Sequence, residues 1–168
     1  MLRMTRMYRT RLIWLALSAG ILLADQVSKG AVLAALLPFE SIPVTSFFNL
    51  VLVFNEGAAF SFLADMSGWQ RPLFAGISIA AIVVCLIMIC THSGGAVYSC
   101  ALSLIIGGAA GNLYDRITLG RVVDFLDFHL VALHWPAFNV ADISICLGAF
   151  LLILVSLFES KRDGVGAK

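Results

Sequence analysis

The sequence predicts an all-α integral membrane protein, a four-transmembrane-helix bundle with a small sheet and an interfacial helix outside the hydrocarbon. Of its 168 residues, 61% are hydrophobic and only 12% are charged, whereas a soluble domain is nearer a quarter charged. Four apolar stretches approach the ~20 residues that cross a bilayer. They run approximately over 12–36, 72–91, 96–114 and 141–158. We therefore expect one membrane-embedded domain over 1–168, with no separate soluble domain.

The basic residues indicate how these spans are oriented. Seven of the eleven lie at the two ends of the chain, namely Arg3, Arg6, Arg9, Arg11, Lys161, Arg162 and Lys168. Four spans place both ends on one side, and the positive-inside bias makes that side the cytoplasm. The segments 37–71 and 115–140 then face outward. No basic cluster lies between the ends, so nucleic-acid binding is not expected.

The first external segment is unusually apolar for a loop. Residues 44–54 are rich in β-branched and aromatic side chains, which favour extended strand. A small sheet lying at the membrane surface explains both properties. Asn55 and Gly57 follow this strand, and Gly57 suits either a routine tight turn or a close backbone approach to a ligand.

The second external segment shows a different periodicity. Val122, Phe125, Phe128 and Ala132 recur at helical spacing. This pattern predicts a helix that lies in the interface with its apolar face toward the lipid.

Two aspartates near this segment are the strongest candidates for chemistry. Asp124 follows the third span shortly after its outer end, and Asp142 opens the fourth, so both lie at similar depth. If the two carboxyl groups converge, repulsion and desolvation raise the pKa of one of them. One then deprotonates a water while the other donates to a carbonyl, as in aspartic proteases. Alternatively, Asp142 is only a helix N-cap and Asp124 is solvated.

The first span carries an acid and a base one helical turn apart. Asp25 and Lys29 share a helix face, and each is costly in hydrocarbon on its own. The structural interpretation is an ion pair between them. The functional interpretation is that the pair braces or polarises the carboxylate centre.

The segment 107–116 combines small and polar residues. Gly107 and Gly111 form a small-xxx-small face that lets another helix or a substrate approach closely. Asn112 and Arg116, one turn apart, place polar groups on one side at the outer boundary. Helix packing with an interfacial arginine is the alternative explanation.

A metal site is not expected. His92, His129 and His134 lack the spacing that puts two ligands on one helical face. No cofactor motif is present either.

Five motifs together resemble the lipoprotein signal peptidase family, the type II signal peptidase of bacteria. They are 25–29 (DQVSK), 55–60 (NEGAAF), the glycine-rich 107–116, 122–125 (VVDF) and 138–142 (FNVAD). All occur in the family's order and, with four spans, cover essentially the whole chain. Each motif is weak alone, whereas the set is highly specific.

The resemblance implies a metal-free aspartyl endopeptidase of the bacterial inner membrane, inhibited by globomycin. It implies cleavage of diacylglyceryl-modified prolipoproteins before the lipidated cysteine. The implied fold adds a small periplasmic β-cradle and a periplasmic helix to the four-helix bundle. By position in the motifs, Asp124 and Asp142 correspond to the catalytic dyad. The supporting or substrate-binding positions are Asp25, Lys29, Asn55, Gly57, Gly108, Asn112, Arg116, Asn139 and Ala141.

Two functions from other classes compete with this one. A small proton-coupled transporter would use Asp25, Lys29 and Asp142 as a relay, but the cytoplasmic halves of the spans are nearly free of charge. A noncatalytic scaffold would bind lipid or helices through the glycine face without cutting them.

Overall fold

The computed structural model describes residues 2–57, 69–91 and 95–165, with the side chains of 11–57, 69–91 and 95–158. His92 and residues 58–60 of one motif therefore lie outside the described residues. The elements in chain order are α1 Leu2–Ala35, β1 Ser41–Thr45, β2 Phe48–Asn55, α2 Gln70–Thr91, α3 Ala96–Thr118, β3 Val122–Leu130, β4 Leu133–His134 and α4 Val140–Val165.

All four of these helices are long and apolar enough to span a membrane. In α3, 50% of the most apolar window is buried inside the protein, against 22%, 17% and 17% in α1, α2 and α4. The helix α3 is therefore the centre of the bundle, and the other three pack around it. Their outward faces keep large apolar side chains exposed, as a lipid-facing surface requires.

The strands form one antiparallel sheet in the order β1-β2-β3-β4 at the end of the bundle where α3 ends and α4 begins. The strand predicted over 44–54 is confirmed as β1 and β2, which meet at a tight turn. An apolar cluster joins the sheet to α1, because Val32 and Leu36 pack with Leu52, Val123 and Phe125. We call this end of the bundle the sheet side.

The helix predicted from Val122, Phe125, Phe128 and Ala132 is wrong. The segment is β3, whose residues pair with β2 from Val122 opposite Asn55 to Phe128 opposite Phe48. Its first four residues are all buried. Both faces of the strand are therefore covered there, and the helical spacing of apolar residues does not correspond to one buried helix face. Two β-branched residues at its start and the hydrogen bonds offered by β2 favour extended backbone.

Glycines set the distance between α3 and α4. A Cβ on Gly148 would lie 2.6 Å from the Ala101 carbonyl oxygen and 2.7 Å from a side-chain carbon of Ile105. A Cβ on Gly108 would collide with the Ala141 carbonyl oxygen. The two helix backbones can approach this closely because neither position carries a side chain.

We expect Gly148→Ala to lower the free energy of unfolding by ~1–3 kcal/mol, since its methyl group overpacks the α3–α4 contact. Denaturation in detergent micelles measures this. Gly76→Ala is the matched control, because a Cβ at Gly76 meets nothing within 4 Å. Equal stability of the two variants would contradict a packing role for Gly148.

Candidate active site

The two predicted aspartates converge on one asparagine, Asn139. Asp124 lies in β3 and Asp142 in the first turn of α4. Asn139 Nδ2 donates to Asp124 Oδ1 at 2.6 Å, and Asn139 N donates to Asp142 Oδ2 at 3.2 Å. The two carboxyl groups are therefore neighbours, although 18 residues separate them in the chain.

Asn139 also starts α4. Its Oδ1 accepts from Asp142 N at 2.9 Å while Asp142 Oδ2 accepts from Asn139 N, a reciprocal capping arrangement. Asn139 is thus the N-cap, and Asp142 is the third helical residue, not the cap itself. This places the Asp142 carboxylate at the positive end of the helix dipole.

Asp25 supports the same helix start from α1. Its Oδ1 accepts from Ala141 N at 2.9 Å, so a further first-turn N–H group of α4 is satisfied. Both Asp25 and Ala141 are fully buried. The predicted pair with Lys29 is present, since Lys29 Nζ lies 2.7 Å from Asp25 Oδ2.

Lys29 determines which way the amide of Asn112 faces. The ammonium group donates to Asn112 Oδ1 at 3.0 Å, and Asn139 Nδ2 lies 3.2 Å from the same oxygen. Because an ammonium only donates, the Asn112 oxygen faces Lys29 and its nitrogen faces Asp142. Asn112 Nδ2 accordingly donates to Asp142 Oδ1 at 2.7 Å.

Asp115, which was not predicted from the sequence, also belongs to the site. It is 2% exposed, and Lys29 Nζ lies 2.8 Å from its Oδ2. The same oxygen accepts from Val123 N at 3.2 Å, and Oδ1 accepts from Gln26 Nε2 at 2.9 Å. Asp115 thereby joins α1 and α3 to the residue before Asp124. Its spacing of three and seven residues from Asn112 and Gly108 was the available signal.

Asn55, the last residue of β2, contacts the site, and Gly57 follows it two residues later. Asn55 Nδ2 donates to Asp124 Oδ2 at 3.0 Å, and Asn55 Oδ1 accepts from Gly57 N at 2.8 Å. Gly57 has a φ of 105° and is covered by the Phe74 ring. This residue therefore makes a tight turn and allows close packing against α2.

Arg116 lies beside the dyad and does not bond to it directly. Its guanidinium contacts Ser78 Oγ at 3.4 Å and the Asn112 carbonyl at 3.3 Å, over the Phe74 ring. Its charge is close enough to interact with Asp142 and Asp124. Arg116 thus adds positive potential next to two carboxyl groups.

The glycine face of α3 is occupied by the protein's own helices. Gly107 lies against Ile21 of α1, and Gly108 lies against Ala141 of α4. A Cβ on Gly111 would collide with the Asp25 carboxylate. These positions bring the three helices together, so this face is not open to another helix.

The two aspartates lie in different electrostatic environments. Burial, followed by the nearby charge of Asp142, raises the pKa of Asp124 to about 7, although hydrogen bonds from Asn55 and Asn139 and the Lys29 charge oppose the change. Asp142 is less buried, accepts two N–H donors and lies at a helix N-terminus. Such a pair can hold one proton between an acid and a base at neutral pH.

No group of three or more metal-ligating side chains occurs within the described ranges 2–57, 69–91 and 95–165. Asp127 and His134 pair at 2.9 Å on the sheet. This pair belongs to the outer end of β3 and does not contact Asp124 or Asp142.

Comparison with known proteins gives one consistent result. The family model described as Signal peptidase (SPase) II matches residues 17–158. A Ralstonia nicotianae protein named lipoprotein signal peptidase is 52% identical over 149 residues, 89% of this chain and 86% of its own. One of the same name from Janthinobacterium sp. is 49% identical over 140 residues, 83% of this chain and 85% of its own.

A solved structure described as a bacterial membrane enzyme is also similar. It superposes with a TM-score of 0.78 at 28% identity, over 93% of this chain and 92% of that chain.

We expect Lys29→Met to lower the free energy of unfolding by ~3–5 kcal/mol, because it leaves two carboxylates buried without their cation. The triple variant Lys29→Met/Asp25→Asn/Asp115→Asn should recover much of that loss, since it removes the unpaired charges as well. Denaturation in micelles compares the two. A triple variant no more stable than Lys29→Met would contradict the charge-pairing explanation.

Proposed function

Because this chain belongs to the signal peptidase II family, it is a membrane protease that removes signal peptides from prolipoproteins, and we propose that Asp124 and Asp142 are its catalytic pair. The observation that carries this proposal is the shared hydrogen bonding of both carboxyl groups to Asn139. We further propose that the catalytic type is aspartic and requires no metal.

The environment of each carboxyl group supports an assignment of roles. Asp124 is buried and its pKa is raised to about 7, which favours it as the proton donor. Asp142, which is less buried and accepts two N–H donors, is then the base. Asp142 accepts a proton from the attacking water while the oxygen of that water bonds to the scissile carbonyl carbon. Asp124 donates a hydrogen bond to the carbonyl oxygen, which stabilises the charge that develops there. The proton that Asp142 took from the water then passes to the leaving nitrogen as the C–N bond breaks and the carbonyl group re-forms.

The bundle supports lateral entry of the substrate from the lipid. Within the described residues, α2 packs against α3 and makes no extensive contact with α4. Arg116 of α3 lies over the Phe74 ring of α2 and has its charge close to Asp142 of α4, so the side of the bundle between α2 and α4 borders the dyad. We propose that a diacylglyceryl-modified prolipoprotein enters here with its acyl chains still in hydrocarbon. The scissile bond precedes the lipidated cysteine, so it reaches the dyad at the membrane boundary.

We propose that the sheet side faces the periplasm and that both chain ends face the cytoplasm across the inner membrane. The enrichment of basic residues at the two ends supports this orientation. The whole of 1–168 then acts as a single membrane-embedded peptidase domain. In the part of the chain with described side chains, the charged cluster of Asp25, Lys29 and Asp115 is confined to the sheet side, and the transporter alternative is not supported.

We expect Asp124→Asn and Asp142→Asn each to lower the rate of cleavage by at least ~10²-fold, because each removes one proton-transfer group. The assay is release of the signal peptide from a purified, diacylglyceryl-modified prolipoprotein in detergent or nanodiscs. Globomycin should inhibit the wild-type reaction, which confirms that cleavage comes from this enzyme.

Glu40→Gln is the matched control for these variants. Glu40 is an exposed carboxylate that accepts from Leu37 N, a hydrogen bond that glutamine can also accept. Its cleavage rate should equal that of the wild type. Normal cleavage by either aspartate variant would exclude that residue from the catalytic pair.

The rate of cleavage should fall as pH rises through about 7, the pKa to which burial and the Asp142 charge raise Asp124. Above this pH the Asp124 proton is lost, and with it the hydrogen bond to the carbonyl oxygen. A profile of kcat/KM against pH measures this limb. A rate that stays constant well above pH 7 would contradict protonated Asp124 as the acid.

Stability gives an independent readout of the same proton. A carboxyl group whose folded pKa exceeds its ordinary 3.8 binds the proton more tightly when folded. Its contribution to stability is therefore lost as pH rises through about 7. Asp124→Asn cannot titrate, so its free energy of unfolding should depend less on pH over this range.

A further inference from the structure

Two residues hold large apolar side chains in an unfavourable backbone conformation. Within the described residues, Phe39 and Val131 alone among non-glycine residues have positive φ, at 67° and 56°. Glycine or asparagine normally occupies this region, and a β-branched residue there is a true outlier. Yet Phe39 is 80% exposed and Val131 is 90% exposed. Neither side chain gains burial within the protein that would offset the strain.

Val131 lies at the tip of the hairpin formed by β3 and β4. Its neighbours Leu130, Leu133 and Trp135 are also strongly exposed. No Asp, Glu, Lys or Arg occurs from 128 to 141. A water-facing hairpin tip usually carries polar turn residues. The composition of this tip is instead typical of a surface that is not in contact with water. We call 130–135 the hairpin tip.

Asp127, the acidic residue nearest to the hairpin tip, is buried. Asp127 is only 6% exposed, and it accepts from Asn49 Nδ2 at 2.8 Å and pairs with His134 Nδ1 at 2.9 Å. Burial alone raises the pKa of Asp127, but hydrogen bonds from His134 and Asn49 outweigh it and hold the pKa below its ordinary value. The His129 ring stacks on His134 at 4.9 Å. The carboxylate is thereby kept away from the exposed apolar surface.

The apolar surface extends from the tip back to the membrane-spanning part of α1. Phe47, in the turn between β1 and β2, stacks with Phe128 at 6.5 Å beside the hairpin. Ile42 and Val44 of β1 are exposed, as are Phe39 and Leu37 between β1 and the end of α1. The sheet therefore continues the lipid-facing surface of the bundle.

We propose that the hairpin tip and Phe39 insert into the interfacial layer of the same bilayer that the helices span. The occupant of this surface is lipid, because the surface is continuous with the exposed apolar face of α1 and its hairpin tip carries no Asp, Glu, Lys or Arg. Trp135 has the amphipathic ring that favours the headgroup boundary. Two points of insertion at opposite parts of the sheet fix the depth of β3, the strand that carries Asp124. This inference does not depend on the catalytic role of Asp124.

The test measures the depth of Trp135 in the full-length protein. The chain has three tryptophans, so the double variant Trp14→Phe/Trp69→Phe leaves Trp135 as the only one. In nanodiscs, phospholipids brominated at shallow acyl positions should quench its fluorescence, and aqueous iodide should not. The variant Trp69→Phe/Trp135→Phe reports Trp14, on the most apolar stretch of α1, as the positive control for shielding from iodide.

Two substitutions of Val131, at the apex of the hairpin tip, form a matched pair that tests the effect of charge. Asparagine and aspartate both tolerate the Val131 backbone conformation better than valine, so Val131→Asn and Val131→Asp differ in charge alone. We expect aspartate to reduce quenching of Trp135 by brominated lipid severalfold more than asparagine does. Denaturation in detergent micelles reports folding of each variant separately.

Several results would overturn the proposal. Free access of iodide to Trp135, with no quenching by brominated lipid, would place the tip in water. Protection from iodide only after prolipoprotein is added would identify a protein-binding surface instead. Equal quenching in the aspartate and asparagine variants would show that the apex does not enter a low-dielectric layer.

Discussion

The polar centre of the protein is organised around the buried ammonium group of Lys29. An ammonium has three donors, and Lys29 directs them to Asp25, Asp115 and Asn112 at 2.7, 2.8 and 3.0 Å. Each acceptor then positions a different part of the molecule. Asp25 holds the first turn of α4, Asp115 holds the start of β3, and Asn112 holds the Asp142 carboxylate. One cation thus connects α1 to both elements that carry the dyad.

Close helix packing is what makes this network possible. Side chains as short as aspartate and asparagine reach across helix boundaries only when the backbones are near. Gly108 and Gly111 bring α3 against α4 and α1, and the fully buried Ala141 lies at the same contact. The glycine segment that first suggested an entry surface for a substrate therefore serves to assemble the polar centre.

Asp124 and the strand β3 that carries it are held by hydrogen bonds from three other elements. β2 contributes the ladder and the Asn55 amide, α3 contributes the Asp115 carboxylate that binds Val123 N, and Asn139 contributes a hydrogen bond from the start of α4. A carboxyl group held this firmly and buried has little water to stabilise its charge, which is why its pKa rises. The position of the strand and the chemistry of its aspartate therefore have one cause.

The sequence alone is enough to predict the membrane class, the four helices, the strand after the first span and the two candidate aspartates. These follow from composition, hydropathy and the cost of carboxylates near hydrocarbon, which are local properties. It did not determine that 122–130 is extended, because residues buried on both faces of a strand can imitate the spacing of a helix. It also did not single out Asp115, because its role comes from partners 86 to 89 residues away in α1, Gln26 and Lys29. The packing of α1 against α3 brings those partners together, and a contact between residues so far apart in the chain exists only in the folded protein.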